Sequence, residues 1–338
     1  MEQSAPPEKL LEIVRGPLVE SVHRGHVAVW HRTSGLIGAW GDPDALILPR
    51  SAIKMIQALP LVESGAADRA GLSDRQLALA CASHQGAAIH TDLVTSWLAE
   101  IGRTEADLRC GPQWPADEDA AHGMIRACGA PDQRHNNCSG KHTGFLTLSR
   151  DLGAGPDYLE IDHPVQQAVR AALAETSEET CDSYAIDGCS APNFALTLRG
   201  FARSLARFAA ASETGGARER AMARLVGAMV THPDYVAGEG RACTRLMRAM
   251  AGRAAIKTGA EGVFAAIIPE LQLGMAVKIE DGAGRAAEAV VAALLVRAGV
   301  LAPDHPDARH FMHGPILNRR GIETGHMQVS PDLMGWAP

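Results

Sequence analysis

The sequence predicts an α+β fold: a central antiparallel sheet flanked by helices, with a helical subdomain. Three observations point there. Strand-like alternation fills residues 10–40, as in VESVHRGHVAVW. Two more strand-like runs, Val263–Pro269 and Leu273–Ile279, lie far downstream. Between them the chain reads as largely helical, without clean βαβ alternation, so the sheet has to draw on distant stretches. The expected organisation is one catalytic unit over 1–338. Strands near 10–40 and 254–280 form its sheet, and the region 51–252 is inserted.

Each element has its local reason. Gly35 and Gly41 break the N-terminal alternation into a hairpin or meander. Ser51 opens AIKMIQALPLVESG, where Ile53, Ile56 and Leu59 recur at helical spacing behind a hydroxyl. Ser73–Ala82 and Ala87–Ile101 read as helices around a tight stretch at Ser83–Gly86. Cys110–Arg134 is rich in Pro, Gly, Asp and His and reads as irregular. A helix begins near Thr143–Leu148, and Pro164–Ala174, Ala217–Val230 and the alanine-rich Gly284–Ala298 follow as helices. No internal repeat or low-complexity tract interrupts them.

Composition removes whole classes of function. Hydrophobic content of 46% and charged content of 21% are those of an ordinary globular protein. The formal net charge of −7 argues against a nucleic-acid partner or an anionic membrane surface. The apolar-rich stretch Ala286–Ala298 is short and carries Glu288 and Arg297, so no membrane span is expected. The start, MEQSAPPEKLLEIVRG, has no apolar signal-peptide core. The seven cysteines are odd in number and irregularly spaced, which fits reduced thiols and a cytoplasmic location.

Lysine is scarce. Of 32 basic residues only Lys9, Lys54, Lys141, Lys257 and Lys278 are lysines, so each is inspected for work that a guanidinium cannot do. Ser51-Ala-Ile-Lys54 at a helix start places an amine one turn from a hydroxyl, where a desolvated lysine can accept the serine proton. The bland alternative is a helix N-cap. Lys257-Thr258-Gly259 follows an apolar run. Ser-x-x-Lys on a helix with Lys-Thr-Gly on an edge strand is the pair found in penicillin-binding proteins and serine β-lactamases. Ser83, in CASHQG, is the candidate for a third hydroxyl between the two lysines; its bland alternative is again a helix cap.

The window HNNCSGKHTG at 135–144 fails as a phosphate loop, because His135 and His142 stand where Gly and Ser or Thr are needed. As a metal site it offers Cys138, Lys141 and His142, and AIDGCSAP adds Cys189 beside Asp187. Two thiolates with nitrogen ligands suit Zn2+, although no CxxC supports it and buried inert thiols are the alternative.

These segments together resemble a known family. PRSAIK at 49–54, CASH at 81–84, NCSGKH at 137–142, DGC at 187–189 and VAGEGR at 236–241 are similar to the Rhizobium etli type (class 3) L-asparaginases. The similarity extends through VKIEDG at 277–282 to NRRGIETG at 318–325. Gln85 and Gly86 after His84 depart from the small polar residues expected there. The resemblance implies a serine β-lactamase-like fold and hydrolysis of L-asparagine to L-aspartate and ammonia by a homodimer. It implies two Ser–Lys tandems, Ser51 with Lys54 and Ser83 with Lys257. It also implies zinc held by Cys138, Lys141 and Cys189, and substrate contacts from Arg50, His84, His142, Asp187, Thr258 and Gly259.

The leading expectation is an acyl-enzyme. Lys54 takes the proton of Ser51, which attacks the amide carbonyl, while backbone N–H groups near Ser51 and Thr258 hold the oxyanion. Ser83 and Lys257 relay a proton to the departing ammonia. Three alternatives stand beside it: a zinc-hydroxide amidohydrolase, a glutaminase or esterase on the same scaffold, and a non-catalytic thiol–zinc sensor.

Overall fold

The computed structural model describes residues 5–336 and 338. The chain divides into two compact units. One holds Met1–Ala52, Leu196–Ala210 and Arg245–Pro338; the other holds Ile53–Ala195 and Ala211–Thr244.

The first unit is built on an eight-stranded antiparallel sheet. Its strands are β1 (Glu8–Arg15), β2 (Leu18–His31), β3 (Gly35–Trp40), β4 (Ala255–Thr258), β5 (Val263–Ile268), β6 (Leu273–Ile279), β7 (Pro315–Leu317) and β8 (Glu323–Val329). They lie in the order β7-β8-β1-β2-β6-β5-β4, with β3 also paired to β2. This is the antiparallel α+β architecture expected, and β4 with its Lys-Thr-Gly is an edge strand. Every residue of β5 is buried, because helices cover the sheet. Helix Leu198–Ala209 packs on β2, β5 and β6, and helix Gly284–Arg297 packs on β1, β5 and β6. Gly274 permits the close crossing: a Cβ there would meet Ala202 O at 2.2 Å.

Sequence reading missed two parts of this unit. Helix Leu198–Ala209 buries Leu198, Phe201, Ala202, Leu205, Phe208 and Ala209 and is capped by Thr197 Oγ1, which accepts from Gly200 N at 2.9 Å. Its apolar spacing was readable. Strands β7 and β8 were not: they are short or half exposed and carry little alternation.

The second unit is helical. Ser73 caps helix Asp74–Ala80 with a capping box, accepting from Gln76 N while Gln76 Oε1 accepts from Ser73 N at 2.8 Å. Helix Ala88–Glu100 starts from Ala87, so Ser83 is not its cap. The stretch expected to be irregular contains helix Glu118–Arg126, capped by Asp117, with none of its residues buried. The helix expected near Thr143 begins earlier, at Ser139, and runs to Asp151 with residues 139–149 all buried. Gly140 sets its crossing, since a Cβ would meet Leu79 O at 2.3 Å.

The single helix expected after Ser51 is instead broken. A 3-10 turn at Arg50–Ile53 leads into short helices Lys54–Gln57 and Leu59–Glu63, the second opening across Pro60, which has no N–H to donate. Arg50 takes a left-handed backbone, φ 52°. Among the described residues no helix is long and apolar enough to cross a membrane.

Candidate active site

In the helical unit, three segments deliver the chemistry. The first is the extended run after helix Asp74–Ala80. Ser83 N and Gln85 N donate to Val236 O and Ala237 O at 2.9 and 3.0 Å, while His84 N donates to Asn137 O at 3.2 Å. This two-sided pairing fixes Ser83. Lys54 is fully buried; its Nζ lies 3.1 Å from Ser83 Oγ, donates to Ala82 O, and stands 3.4 Å from Asn137 O. The amine is thus held by two backbone carbonyls and the Ser83 hydroxyl, all within hydrogen-bonding reach. That arrangement suits a general base.

The second segment is NCSGKH. Asn136 Nδ2 donates to Cys110 O and Gly111 O at 2.9 and 3.0 Å, and its Oδ1 accepts from Cys138 N at 2.9 Å. Cys138 thereby becomes the N-cap of helix Ser139–Asp151, and Lys141 and His142 fall in its first turn. The third segment is a hairpin, Tyr184–Ile186 against Pro192–Phe194. Asp187 N donates to Ala191 O at 2.9 Å, and Ser190 takes φ 68°, the left-handed step that closes a three-residue hairpin loop. Cys189 sits at that tip.

The tips meet. Lys141 Nζ is 3.1 Å from Cys189 Sγ, and Cys138 Sγ, at the start of the same helix as Lys141, donates to Asn137 Oδ1 at 2.9 Å. The two thiols are electrostatically coupled. The neighbouring Cys138 thiol holds the Cys189 thiol well below its ordinary value, with the Lys141 charge adding to it against burial. The same coupling, with burial, pushes Cys138 up. Burial alone would lower the Lys141 ammonium, but Cys189 and Cys138 outweigh it and raise it. Nearby, burial pushes the Cys110 thiol up to about 12.

The Lys141 amine and the Cys189 sulfur meet, with Cys138 electrostatically coupled to both, and all three side chains are nearly buried. That donor set fits zinc. Among the described residues no group of three or more His, Cys, Asp and Glu gathers to hold a metal, so the set needs the lysine amine as its third member.

The histidines differ. His142 Nδ1 is 2.9 Å from Tyr158 OH, while its Nε2 is buried without a hydrogen-bond partner among the described residues. Tyr158 OH also accepts from Arg109 N at 2.8 Å. His84 is spent structurally: Nδ1 accepts from Gly86 N at 3.1 Å, Nε2 pairs with Ser139 Oγ at 2.8 Å, and the ring stacks on His90 at 4.8 Å. Burial, then the charges of His90 and Lys54, hold it well below the ordinary histidine range. Tyr158, Asn136 and Ser139 escaped the sequence reading. Only the Asn-Asn before Cys138 could have drawn attention, as an Asx turn opening a helix.

In the sheet unit, Lys257 is fully buried at the end of β4, and its Nζ donates to Thr258 O at 2.6 Å. Gly259 N donates to Val263 O at 2.7 Å, which ends the strand pairing. A Cβ on Gly259 would meet Pro49 O at 2.8 Å and Ala52 N at 3.1 Å. The Lys-Thr-Gly edge therefore lies directly against the turn that carries Arg50 and Ser51.

Comparisons with known proteins follow this geometry. Solved structures similar to the chain include a β-lactamase from Mycobacterium bovis (14% identity, 78% of this chain and 89% of that one, TM-score 0.43). A class C β-lactamase from Rhodobacter sphaeroides is similar at 15% identity over 78% and 91%, TM-score 0.40. So is Mglu in its tris and glutamate form, at 13% identity over 89% and 64%, TM-score 0.46. No curated protein matches the sequence. The model of the family described as L-asparaginase II matches residues 11–329, nearly the whole chain. The protein belongs to the L-asparaginase II family and is an asparaginase, an amidohydrolase.

Proposed function

We propose that the chain hydrolyses L-asparagine to L-aspartate and ammonia through Ser–Lys chemistry beside a zinc site. The observation that carries this reading is the Lys54 amine, buried and tied to two carbonyls, three residues after Ser51. Lys54 takes the hydroxyl proton of Ser51, the Ser51 oxygen bonds to the carboxamide carbon, and the C–N bond breaks as ammonia leaves with a proton relayed by Ser83 and Lys257. Water then attacks the acyl-enzyme, returning the Ser51 proton. Backbone N–H groups at Ser51 and Thr258 are the proposed oxyanion donors.

Cys138, Lys141 and Cys189 would hold zinc, which when bound supplies a fixed positive charge to position the amino-acid end of the substrate. The Asp187 charge adds to raising Lys141, while burial and then the Lys141 charge hold His142 well below the ordinary histidine range. A cytoplasmic homodimer acting as one catalytic unit is the form we propose, on the resemblance and on seven free cysteines.

A second reading is favoured by the Lys54–Ser83 contact itself: Ser83 is the nucleophile and Ser51 the relay. Rapid quenching with L-asparagine and peptide mapping separates the two. The acyl group is expected on Ser51 and absent from Ser51→Ala. An acyl group on Ser83 moves the assignment to that residue. No acyl-enzyme, with turnover abolished by a chelator and retained in both Ser→Ala variants, would establish the zinc-hydroxide alternative instead.

A further inference from the structure

The sheet unit buries two histidines that the proposed chemistry does not use. His23 and His26 lie on β2, beside the segment that follows β6. Their hydrogen-bond partners fix where their protons sit. His26 Nδ1 accepts from Asp42 N at 2.9 Å, so the proton is on Nε2, which donates to Glu280 Oε1 at 2.9 Å. His23 Nε2 is 3.0 Å from Arg285 Nε, and a guanidinium only donates. Its proton is therefore on Nδ1, which donates to Asp281 Oδ2 at 2.6 Å. The backbone makes room for this: Gly41 takes φ 65°, and a Cβ there would stand 2.4 Å from His26 Nδ1.

Each ring thus gives its N–H to one of two adjacent carboxylates, whose side chains are 53% and 47% exposed at Glu280 and Asp281. Water can satisfy carboxylates so placed, and the two contacts add little to stability. What they hold is a loop. Glu280–Gly282 backs the tip of the β4–β5 hairpin, where Ile279 N donates to Gly262 O at 2.9 Å and Lys278 Nζ donates to Glu261 O at 2.5 Å. Gly262 and Gly282 both have positive φ, and the approach is close: a Cβ on Gly262 would lie 2.8 Å from Ile279 Cβ. The same hairpin begins with Lys257-Thr258-Gly259, and Gly259 lies against the turn that carries Ser51. Ring, carboxylate, loop and hairpin form one continuous line of contacts within the sheet unit.

We propose that His26 and His23 are positioning residues for the amide hydrolysis. By gripping Glu280 and Asp281 they fix the loop that sets the Lys257-Thr258-Gly259 edge against the Ser51 turn. This rests on the reading that Lys257 and the Thr258 N–H take part in turnover. The histidines act through the hairpin and not on the substrate, so their removal falls on kcat rather than on KM.

The two bonds of His26 can be separated. Asn places an amide oxygen near the Nδ1 position and keeps the bond from Asp42 N alone; Gln places an amide N–H near the Nε2 position and keeps the bond to Glu280 alone. Ammonia release from L-asparagine and melting curves are compared for wild type, His26→Asn, His26→Gln, Glu280→Ala, Asp281→Ala and Lys257→Met. His26→Asn should lower kcat about 10-fold with KM within about twofold, since a small misplacement of reacting groups is costly in rate. His26→Gln should recover most of that loss, although both variants give up one hydrogen bond and should melt alike. Glu280→Ala, with its side chain half in water, should fold and reproduce the Asn loss, and combining the two should cost nothing more. Asp281→Ala should lower kcat in the same way through His23. Equal kcat losses in the Asn and Gln variants, or a loss carried by KM alone, would overturn the proposal. So would wild-type kcat in both alanine variants beside an inactive Lys257→Met. Full turnover in Lys257→Met would instead remove the Lys257 reading, and this proposal with it.

Discussion

Lys141 Nζ lies 3.1 Å from Cys189 Sγ, a buried amine set against a thiol held well below its ordinary value, with Cys138 at the start of the same helix. The contact joins the first turn of one helix to the tip of a hairpin. Removing Lys141 or Cys189 leaves the other as a buried charge without its counterpart, at a cost of about 3–5 kcal/mol for a buried pair broken on one side.

Zinc uptake by the metal-free protein should therefore release about two protons, one from Cys138 and one from Lys141, since Cys189 is already a thiolate. A pH indicator in weak buffer reads this directly, together with a rise in melting temperature that follows zinc concentration by mass action. Cys138→Ser should remove most of the release and most of the thermal shift. Zinc binding with no proton release would exclude Lys141 as a ligand.

Lys54→Met should lower kcat about 10²- to 10⁴-fold, the usual worth of a general base, with a smaller change in KM. Lys54→Arg should be as inactive, because a guanidinium keeps its protons. Ser83→Ala leaves the Lys54 amine with its two carbonyl partners, so that variant should fold normally and lose activity through kcat. An Arg variant with full turnover would end the role of Lys54 as a base.

How much of this was legible depended on whether the signal was local. The three lysines placed in motifs stand out in the sequence, because the chain otherwise makes its positive charge with arginine. NCSGKH and DGC could be picked out as segments, and the structure brings Lys141 and Cys189 into contact, with Cys138 opening the same helix as Lys141; the service of all three as ligands remains the proposal to be tested. Tyr158 was not legible. It matters through His142 and Arg109 N, and no spacing announces it. The broken helix after Ser51 shows the opposite failure. Its apolar spacing is helical, yet the left-handed Arg50 and Pro60 divide it, and tertiary demands on the Ser51 turn override the local pattern.

Stability should fall on acidification. Burial holds His84 well below the ordinary histidine value of 6.5 and lowers His90, while in the unfolded chain both titrate near that value. Below about pH 6.5 the unfolded state therefore binds more protons than the folded one. Stability drops by up to about 1.4 kcal/mol per pH unit for each such histidine until its folded value is reached. Melting temperature should decline more steeply below about pH 6.5 than above it, where the lowered Cys189 thiol alone gives a slope. His84→Asn, whose side-chain oxygen can still accept from Gly86 N, should be less stable at neutral pH and show a shallower decline. A decline of the same slope in that variant would assign it to other groups.

Gly140→Ala tests what holds the NCSGKH turn in place. The added methyl would stand 2.3 Å from Leu79 O and 2.6 Å from Leu79 Cγ, distances that real Cβ atoms do not adopt. Either helix Ser139–Asp151 moves off helix Asp74–Ala80 or both deform, at about 1–3 kcal/mol for overpacking of this kind. At roughly 2–4 °C of melting temperature per kcal/mol, the loss is measurable by calorimetry. The functional consequence should exceed the thermal one. Helix Asp74–Ala80 leads into Ser83, and helix Ser139–Asp151 starts at Cys138, so a shift at their crossing alters the Lys54–Ser83 and Lys141–Cys189 contacts together. Gly140→Ala is expected to lose both zinc affinity and kcat while remaining folded at 25 °C. A variant that lost stability but kept both would show that the site tolerates movement of its two supporting helices.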